Sequence, residues 1–285
     1  MFATNTSSLS VTELAQVAER PADVVGMHFF NPVHKMPLVE IIRTELSSDA
    51  SLATAFKFAT KLGKTPVLVA DRPGFLVNRL LAPYLNEAGF LLENGASVAA
   101  IDQALTAFGM PMGPCRLLDE VGFDVAEHVA KEMVRAFGSR MQPSAVVGVL
   151  KGEGRLGKKN GRGFYRYTNG RESGMNRGVG RILGSPRVDI SSGEIRDRCL
   201  LLLVNEAMYA LSEKVVVSAN AVDLAMVLGI GFPPFRGGLL RWADTRGARD
   251  ILDGLVGLAE KHGQRFAPAP SLIDLAESGS SFASS

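Results

Sequence analysis

The stretch MHFFNPVHKMPLVEII, residues 27–42, places a histidine inside one apolar run and a lone glutamate inside a second run. These polar residues, His28 and Glu40, lie twelve positions apart. Short apolar runs that are bounded by Asn, Pro and Gly are typical of buried β-strands. The stretch therefore predicts two neighbouring core strands, each with one polar side chain near its end.

Strand-like and helical runs alternate on both sides of this stretch. They end at the Asp71-Arg72-Pro73-Gly74 turn, which breaks the pattern. A doubly wound sheet of this kind usually has five or more strands, and only about four are visible. We therefore expect a partial, Rossmann-like α/β layer that is truncated at its N-terminal side. The predicted strands are 2–8, 24–30, 38–42 and 66–70, and the predicted helices are 11–18 and 49–62.

From residue 74 onward the pattern is helical, and it repeats. NRLLAPYLNEAGFLL at 78–92 is echoed by DRCLLLLVNEAMYALSE at 197–213, and each contains an Asn-Glu-Ala triplet, at Asn86 and Asn205. In both copies an Asp, Asp102 or Asp223, opens the next predicted helix, at an offset of about 120 residues. The repeat predicts two tandem helical modules built on one plan.

The predicted fold class is thus mainly α with a partial α/β layer and two tandem helical modules. The expected domains are 1–72 for the α/β layer, 73–170 for the first helical module, 171–194 for a linker rich in Gly and Arg, and 195–285 for the second module with a flexible tail.

Composition narrows the class of protein. The longest apolar tract, about twelve residues around 224–235, contains Gly and Pro and is too short to span a bilayer. Two cysteines and an N-terminus without signal-peptide character favour a reducing, cytoplasmic location. The net charge of +2 argues against general nucleic-acid binding, although residues 151–187 carry ten Lys or Arg against two Glu. No Cys and His pair has zinc spacing, so no metal site is expected.

Polar residues at or beside the strand-like runs suggest a catalytic site. A histidine can accept a hydroxyl proton near neutral pH, and a carboxylate behind it would fix its tautomer. The alternative is that His28 is a satisfied core histidine and Glu40 a surface charge, and spacing alone favours this second interpretation. The candidate site residues are Ser7, His28, Asn31, Glu40 and Asn78.

Four sequence blocks change that balance. TNTSSL, HFFNPVHKMPLVEII, PGFLVNRLL and RLGKKNGRGFYRY, in this order, resemble the signature blocks of the 3-hydroxyacyl-CoA dehydrogenase family. The second helical module, which ends in RFAPAPSLIDLAE, is similar to the C-terminal part of the multifunctional alpha subunit of fatty-acid oxidation complexes. The resemblance runs from residue 2 to about residue 275.

The resemblance implies an NAD-dependent oxidation of (3S)-3-hydroxyacyl-CoA to 3-oxoacyl-CoA. His28 would remove the 3-hydroxyl proton while hydride leaves C3 for NAD, and Glu40 would orient His28. Both would lie at strand ends on the carboxyl edge of the sheet. The remaining implied roles are Ser7 beside the substrate hydroxyl and the nicotinamide, Asn31 and Lys159 at the cofactor, and Asn78 at the acyl-CoA.

One departure from the family pattern is the missing glycine turn. The family has a G-x-G-x-x-G turn whose backbone approaches the cofactor pyrophosphate, and none occurs before residue 70. GVGRILG at 178–184 is interpreted as unrelated to dinucleotide binding. An alternative function is therefore a non-catalytic helical fragment for dimerisation or docking.

Expected partners are the acyl-CoA, a thiolase beta subunit, and a second copy in a homodimer or hetero-oligomer. The basic segment would be a solvated linker or would contact the phosphates of CoA.

Overall fold

The computed structural model of the chain describes residues 1–7, 9–184 and 188–284. The last position of the predicted strand 2–8, part of the predicted linker at 185–187, and residue 285 of the predicted tail lie outside the described residues. The described chain is mostly helical and divides into two compact units. The first unit comprises Met1–Leu80, Val204–Asp253 and Pro268–Ser285, and the second comprises Leu81–Leu203 and Gly254–Ala267.

The first unit contains a four-stranded sheet in the order β1-β2-β3-β4. β1 and β2 are parallel, β2 and β3 are antiparallel, and β3 and β4 are parallel. Its strands and helices are β1 (Phe2–Thr4), α1 (Val11–Gln16), β2 (Val24–Phe29), β3 (Leu38–Arg43), α2 (Asp49–Lys61), β4 (Thr65–Ala70), the start of α3 (Val77–Glu93), the end of α9 (Ser192–Ser212), α10 (Ala219–Ile230), α11 (Leu239–Arg246), the start of α12 (Ala248–His262) and α13 (Pro270–Ser278).

The two faces of this sheet are covered by different helices. Side chains alternate along each strand, so the two faces of β2 and β3 carry different residues. One face packs against α2, through a buried cluster made of Val25, Met27, Val39, Ile41, Leu52, Ala55 and Ala59. His28 and Glu40 lie on the opposite face. There α10 approaches closely at Gly229, where a Cβ would lie 2.9 Å from Leu38 Cδ2. The α/β layer therefore holds the predicted pair on the side away from α2.

The described residues of the second unit form helices and a β-hairpin. The hairpin turns at Asn169 and Gly170, both of which have positive φ (52° and 74°). That pair of residues suits a two-residue hairpin turn, yet the hairpin was not predicted. The elements of this unit are the rest of α3, α4 (Val98–Phe108), α5 (Pro114–Val121), α6 (Phe123–Phe137), α7 (Val146–Gly152), β5 (Tyr165–Thr168), β6 (Arg171–Met175), α8 (Arg177–Leu183), the start of α9 and the end of α12.

The sequence repeat has a structural counterpart in its polar residues. Asn86 in α3 accepts a hydrogen bond from the Ser144 N–H at 2.6 Å, and Asn205 in α9 accepts one from the Ala269 N–H at 2.7 Å. Each Asn fixes a distant loop by the same contact. The equivalent positions of the two copies thus perform the same structural task.

The repeated aspartates also act alike. Asp102 accepts hydrogen bonds from the first amides of α5, and Asp223 accepts them from the first amides of α11. Helix N-termini leave such amides unpaired, and a carboxylate there also opposes the positive end of the helix dipole. This explains why an Asp stands at both positions of the repeat.

Buried ion pairs join α3 of the first copy to α9 of the second copy. In the first unit Arg79, from α3, donates from Nε to Glu206 of α9 at 2.6 Å. In the second unit Arg198, from α9, donates from Nε to Glu87 of α3 at 2.7 Å. All four side chains are almost completely inaccessible to solvent. Arg79 and Arg198 each pair with a glutamate of the other copy, and Arg79 also contacts Glu213 while Glu87 also contacts Arg265.

None of the helices in the described part of the chain is both long and apolar enough to cross a bilayer.

Candidate active site

His28 and Glu40 face each other across β2 and β3. The strands pair them directly, and His28 Nδ1 lies 2.8 Å from Glu40 Oε2. The expectation that both residues lie at the carboxyl edge of the sheet is wrong for Glu40, because the strands are antiparallel. The segment between them is too short for the crossover that parallel neighbours need. Residues twelve apart meet by cross-strand pairing instead.

The second oxygen of Glu40 is held by the start of α3. Oε1 accepts hydrogen bonds from the Leu76 N–H at 3.1 Å and from the Val77 N–H at 2.9 Å. A carboxylate that accepts from two amides presents its other oxygen as an acceptor to the imidazole. With Glu40 ionised, both of its oxygens only accept, so His28 Nδ1 carries the proton and Nε2 is the basic nitrogen.

Two aromatic rings enclose the imidazole. The ring centroid of His28 is 4.6 Å from that of Phe30 and 5.5 Å from that of Phe75. His28 is 6% exposed and Glu40 is fully buried. In such a poorly solvated setting the hydrogen bond between the two side chains is stronger than it would be in water. Among the described residues, none forms a hydrogen bond with Nε2 of His28.

The other predicted residues of the first unit lie near the pair in sequence or on adjoining segments. Asn78 is half-buried in the first turn of α3, directly after Val77. Ser7 is exposed in the loop after β1, and Asn31 is exposed after β2. Within the described residues no hydrogen bond joins Ser7, Asn31 or Asn78 to the pair. The structure brings together His28 and Glu40, and the roles of the other three stay predictions.

Lys159 belongs to the second unit and is engaged there. Its Nζ lies 2.6 and 2.8 Å from the two carboxylate oxygens of Asp124. The hydrogen bonds from Lys159 lower the pKa of Asp124 below its ordinary value. The lysine is exposed, and its expected role at the cofactor stays a prediction.

Several contributors to the site were not predicted. The amides of Leu76 and Val77 and the ring of Phe75 had no signal beyond the Pro73-Gly74 turn signature that precedes them. Asn5 was also missed: its Oδ1 accepts a hydrogen bond from the Phe29 N–H at 3.1 Å and ties the loop after β1 to the end of β2.

The residues of this site suit the proton transfer of an NAD-dependent oxidation. The first 80 residues, however, contain no G-x-G-x-x-G turn that could bind the pyrophosphate of the cofactor. A buried imidazole whose Nε2 has no hydrogen bond among the described residues is the kind of proton acceptor that such a reaction needs. GVGRILG lies in α8 after the exposed strand β6, and the Gly178 N–H already donates to Asn176. A literal G-x-G-x-x-G does occur at 152–157, but it follows helix α7 rather than a strand.

In the described part of the chain no group of three or more His, Cys, Asp or Glu side chains is arranged to hold a metal ion. The two cysteines, Cys115 and Cys199, are free and buried, and burial raises their pKa well above the ordinary value.

Comparisons with known proteins identify the family. Residues 1–72 match the NAD binding domain of 3-hydroxyacyl-CoA dehydrogenase, and residues 74–167 and 193–282 match the C-terminal domain of 3-hydroxyacyl-CoA dehydrogenase. The chain belongs to the 3-hydroxyacyl-CoA dehydrogenase family, as its sequence blocks predicted.

Relatives include the fatty acid oxidation complex subunit alpha of Shewanella amazonensis, 44% identical over 285 residues, and that of Idiomarina loihiensis, 45% identical over 284 residues. Each alignment covers 99% of this chain and 40% of the relative. The chain therefore spans about two fifths of the length of these relatives.

Similar solved structures are also dehydrogenases. One is 3-hydroxybutyryl-CoA dehydrogenase from Escherichia coli, with a TM-score of 0.84 and 28% identity, covering 97% of this chain and 75% of that one. Another is the dehydrogenase part of multifunctional enzyme 1 from C. elegans, with a TM-score of 0.71 and 32% identity, covering 96% and 64%.

These matches correct two expectations. The match to the NAD binding domain over residues 1–72 does not support the prediction of an N-terminally truncated layer. For the same reason the alternative function, a non-catalytic helical fragment for dimerisation or docking, is not favoured. The division into domains at 1–72, 73–170, 171–194 and 195–285 stays a prediction.

Proposed function

We propose that this protein carries out the dehydrogenase step of fatty-acid β-oxidation, the oxidation of a (3S)-3-hydroxyacyl-CoA to the 3-oxoacyl-CoA with NAD. The observation that carries the proposal is the 2.8 Å contact of His28 with a Glu40 whose other oxygen is held by two amides. Membership of the 3-hydroxyacyl-CoA dehydrogenase family and the names of the relatives support the choice of substrate class.

The proton transfer follows from the pair. His28 Nε2 accepts the proton of the 3-hydroxyl group, the O–H electrons form the C3=O double bond, and C3 gives up its hydride. NAD, when bound, supplies the hydride acceptor. Glu40 holds Nδ1–H and stabilises the positive charge that His28 acquires. The amides of Leu76 and Val77 keep that carboxylate in place during the transfer.

The remaining site assignments belong to the same proposal. Ser7 would contact the substrate hydroxyl and the nicotinamide, and Asn31 and Lys159 would contact the cofactor. Asn78, beside Val77 at the start of α3, would hold the acyl-CoA. A position in the first turn suits this role, because amides and small polar side chains gather there.

We further propose a thiolase beta subunit as a partner, a homodimeric or hetero-oligomeric state, and a cytoplasmic location. The complex named in the relatives supports a partner subunit. The two free cysteines suit a reducing compartment. Neither nucleic acid nor a resident metal is part of the proposed function.

The test is NADH formation from 3-hydroxybutyryl-CoA, or from a longer 3-hydroxyacyl-CoA, by the purified chain. We expect His28→Gln to lower kcat by about 10²-fold to 10⁴-fold, because general base catalysis is removed. His34→Gln is the matched control, since His34 is an exposed histidine on the loop between β2 and β3. Equal turnover in wild type and His28→Gln, or no turnover by a folded wild-type sample, would overturn the proposal.

A further inference from the structure

Phe75 has a backbone conformation that is unusual for its side chain. Its φ is +48°, and it follows Gly74 with φ +74°. The left-handed region is unfavourable for a bulky residue, and such residues persist where the surrounding structure requires them, often at functional sites. In the described chain the other non-glycine residues with positive φ are Asn169 and Lys214. Phe75 stands out because it is 3% exposed and adjoins the site.

The left-handed turn determines where the first amides of α3 point. The Phe75 N–H donates to the Arg72 carbonyl at 2.8 Å, so the chain turns back before the helix begins. The next two N–H groups, of Leu76 and Val77, then reach Glu40 Oε1. A residue with ordinary helical φ at position 75 would continue the preceding direction and send these amides elsewhere.

The ring of the same residue packs on the other member of the pair. Its centroid is 5.5 Å from that of the His28 imidazole, at an interplanar angle of 53°. Phe30 lies 4.6 Å from the same imidazole. The two rings restrict rotation of the imidazole, while the hydrogen bond to Glu40 fixes its Nδ1 side.

From these contacts we infer that Phe75 is a positioning residue for the dehydrogenase reaction. Its backbone directs two amides onto Glu40, and its ring holds the plane of His28, so that Nε2 keeps one orientation toward the substrate. The inference rests on the proposed function for the meaning of that orientation. The orientation itself belongs to the folded chain and can be measured without turnover.

Two substitutions separate the ring from the backbone. Phe75→Leu removes the aromatic contact but keeps a β-carbon under the same backbone constraint. Phe75→Gly removes the ring and leaves a residue that adopts positive φ freely and is not anchored. Phe164→Leu is the matched control, because Phe164 is a fully buried phenylalanine of the second unit that packs against Phe123.

The kinetic test compares kcat and KM for NADH formation. We expect kcat to fall about tenfold in Phe75→Leu and about a hundredfold in Phe75→Gly, with KM changed by less than about threefold, because a misplaced base slows the chemical step. Phe164→Leu should keep kcat within about twofold of wild type. Values of kcat within about twofold of wild type in both Phe75 variants, or an equal loss in Phe164→Leu, would overturn the inference.

A spectroscopic test distinguishes this inference from the proposed function. In protein with ¹⁵N-labelled histidine, wild-type His28 should show one tautomer with the proton on Nδ1, and Phe75→Gly should show a mixture. If wild type forms no NADH but the spectra differ in this way, the proposed function fails and the positioning role stands. If Phe75→Gly keeps the wild-type His28 signals, the positioning role is wrong whatever the activity. Should Phe75→Gly not fold, Phe75→Leu is judged by its kcat and KM against those of Phe164→Leu.

Discussion

Replacing Glu40 by Gln should move the imidazole proton of His28 from Nδ1 to Nε2. The contacts of Glu40 allow the resulting fall in kcat to be estimated. The amide oxygen of Gln can accept from the Leu76 and Val77 N–H groups as the carboxylate does. Its NH₂ group then faces His28 Nδ1 and donates to it. The imidazole must carry its proton on Nε2, which removes the base from the substrate side.

If the glutamine side chain adopts the opposite amide orientation, His28 can again carry its proton on Nδ1, but this orientation costs free energy. With the amide turned over, the NH₂ group faces the two backbone N–H groups, which are buried and lose their acceptor. Each unsatisfied buried donor costs about 1 to 3 kcal/mol, so the two N–H groups together cost about 2 to 6 kcal/mol. At about 1.4 kcal/mol for each factor of ten in rate, we expect kcat to fall between about 30-fold and about 20,000-fold.

The assay is NADH formation together with the ¹⁵N signals of His28. We expect Glu40→Gln to move the proton from Nδ1 to Nε2 and to lose at least as much kcat as Glu40→Ala, although glutamine matches glutamate in shape. Glu206→Gln, at a buried glutamate that pairs with Arg79, should lower stability without changing the His28 tautomer. A Glu40→Gln protein with Nδ1 protonated and kcat within about threefold of wild type would refute the reasoning.

Two further predictions concern stability. Burial raises the pKa of Asp119 from 3.8 to about 6. Between these two pH values the folded chain keeps a proton that the unfolded chain releases. The free energy of unfolding therefore falls by about 3 kcal/mol as pH rises from about 4 to about 6. Urea unfolding should show this loss in wild type and not in Asp119→Asn, and parallel pH dependences would contradict it. Tyr84→Phe should raise the unfolding free energy by about 1 kcal/mol, since the buried Tyr84 hydroxyl has no hydrogen-bond partner among the described residues. Tyr165→Phe, which removes the 2.7 Å bond to Asp102, should lower it; a destabilised Tyr84→Phe would count against the argument.

Much of the first unit could be predicted from hydrophobic periodicity. The strands at 24–29, 38–43 and 65–70 and the helix at 49–61 agree with the predicted segments to within a residue or two. Periodicity reports which residues are buried, and it does not report strand direction. The strand that carries Glu40 was therefore predicted correctly, but the expectation that Glu40 lies at the carboxyl edge of the sheet was wrong.

The candidate site was predictable only in part, for a related reason. His28 and Glu40 are polar residues in apolar runs, and that contrast is visible in the sequence. The amides that hold Glu40 belong to the start of α3, 36 and 37 positions further on. Backbone groups have no sequence signature, so their contribution appears only once the chain is folded. The hairpin at 165–175 differs, because its Asn169-Gly170 turn signal was present in the sequence.

The exchanged ion pairs of α3 and α9 have an evolutionary consequence. Arg79 and Glu206 come from different copies of the repeat, and so do Arg198 and Glu87. Each pair has a further member, because Arg79 also contacts Glu213 and Glu87 also contacts Arg265. Removing Arg79 or Glu87 therefore takes a counter-charge from two side chains of the other copy, which is costly where the charges are buried. A substitution of Arg79 or Glu87 is thus best tolerated when the other copy changes to match. The duplicated modules cannot drift apart independently at these positions, and each limits the sequences open to the other.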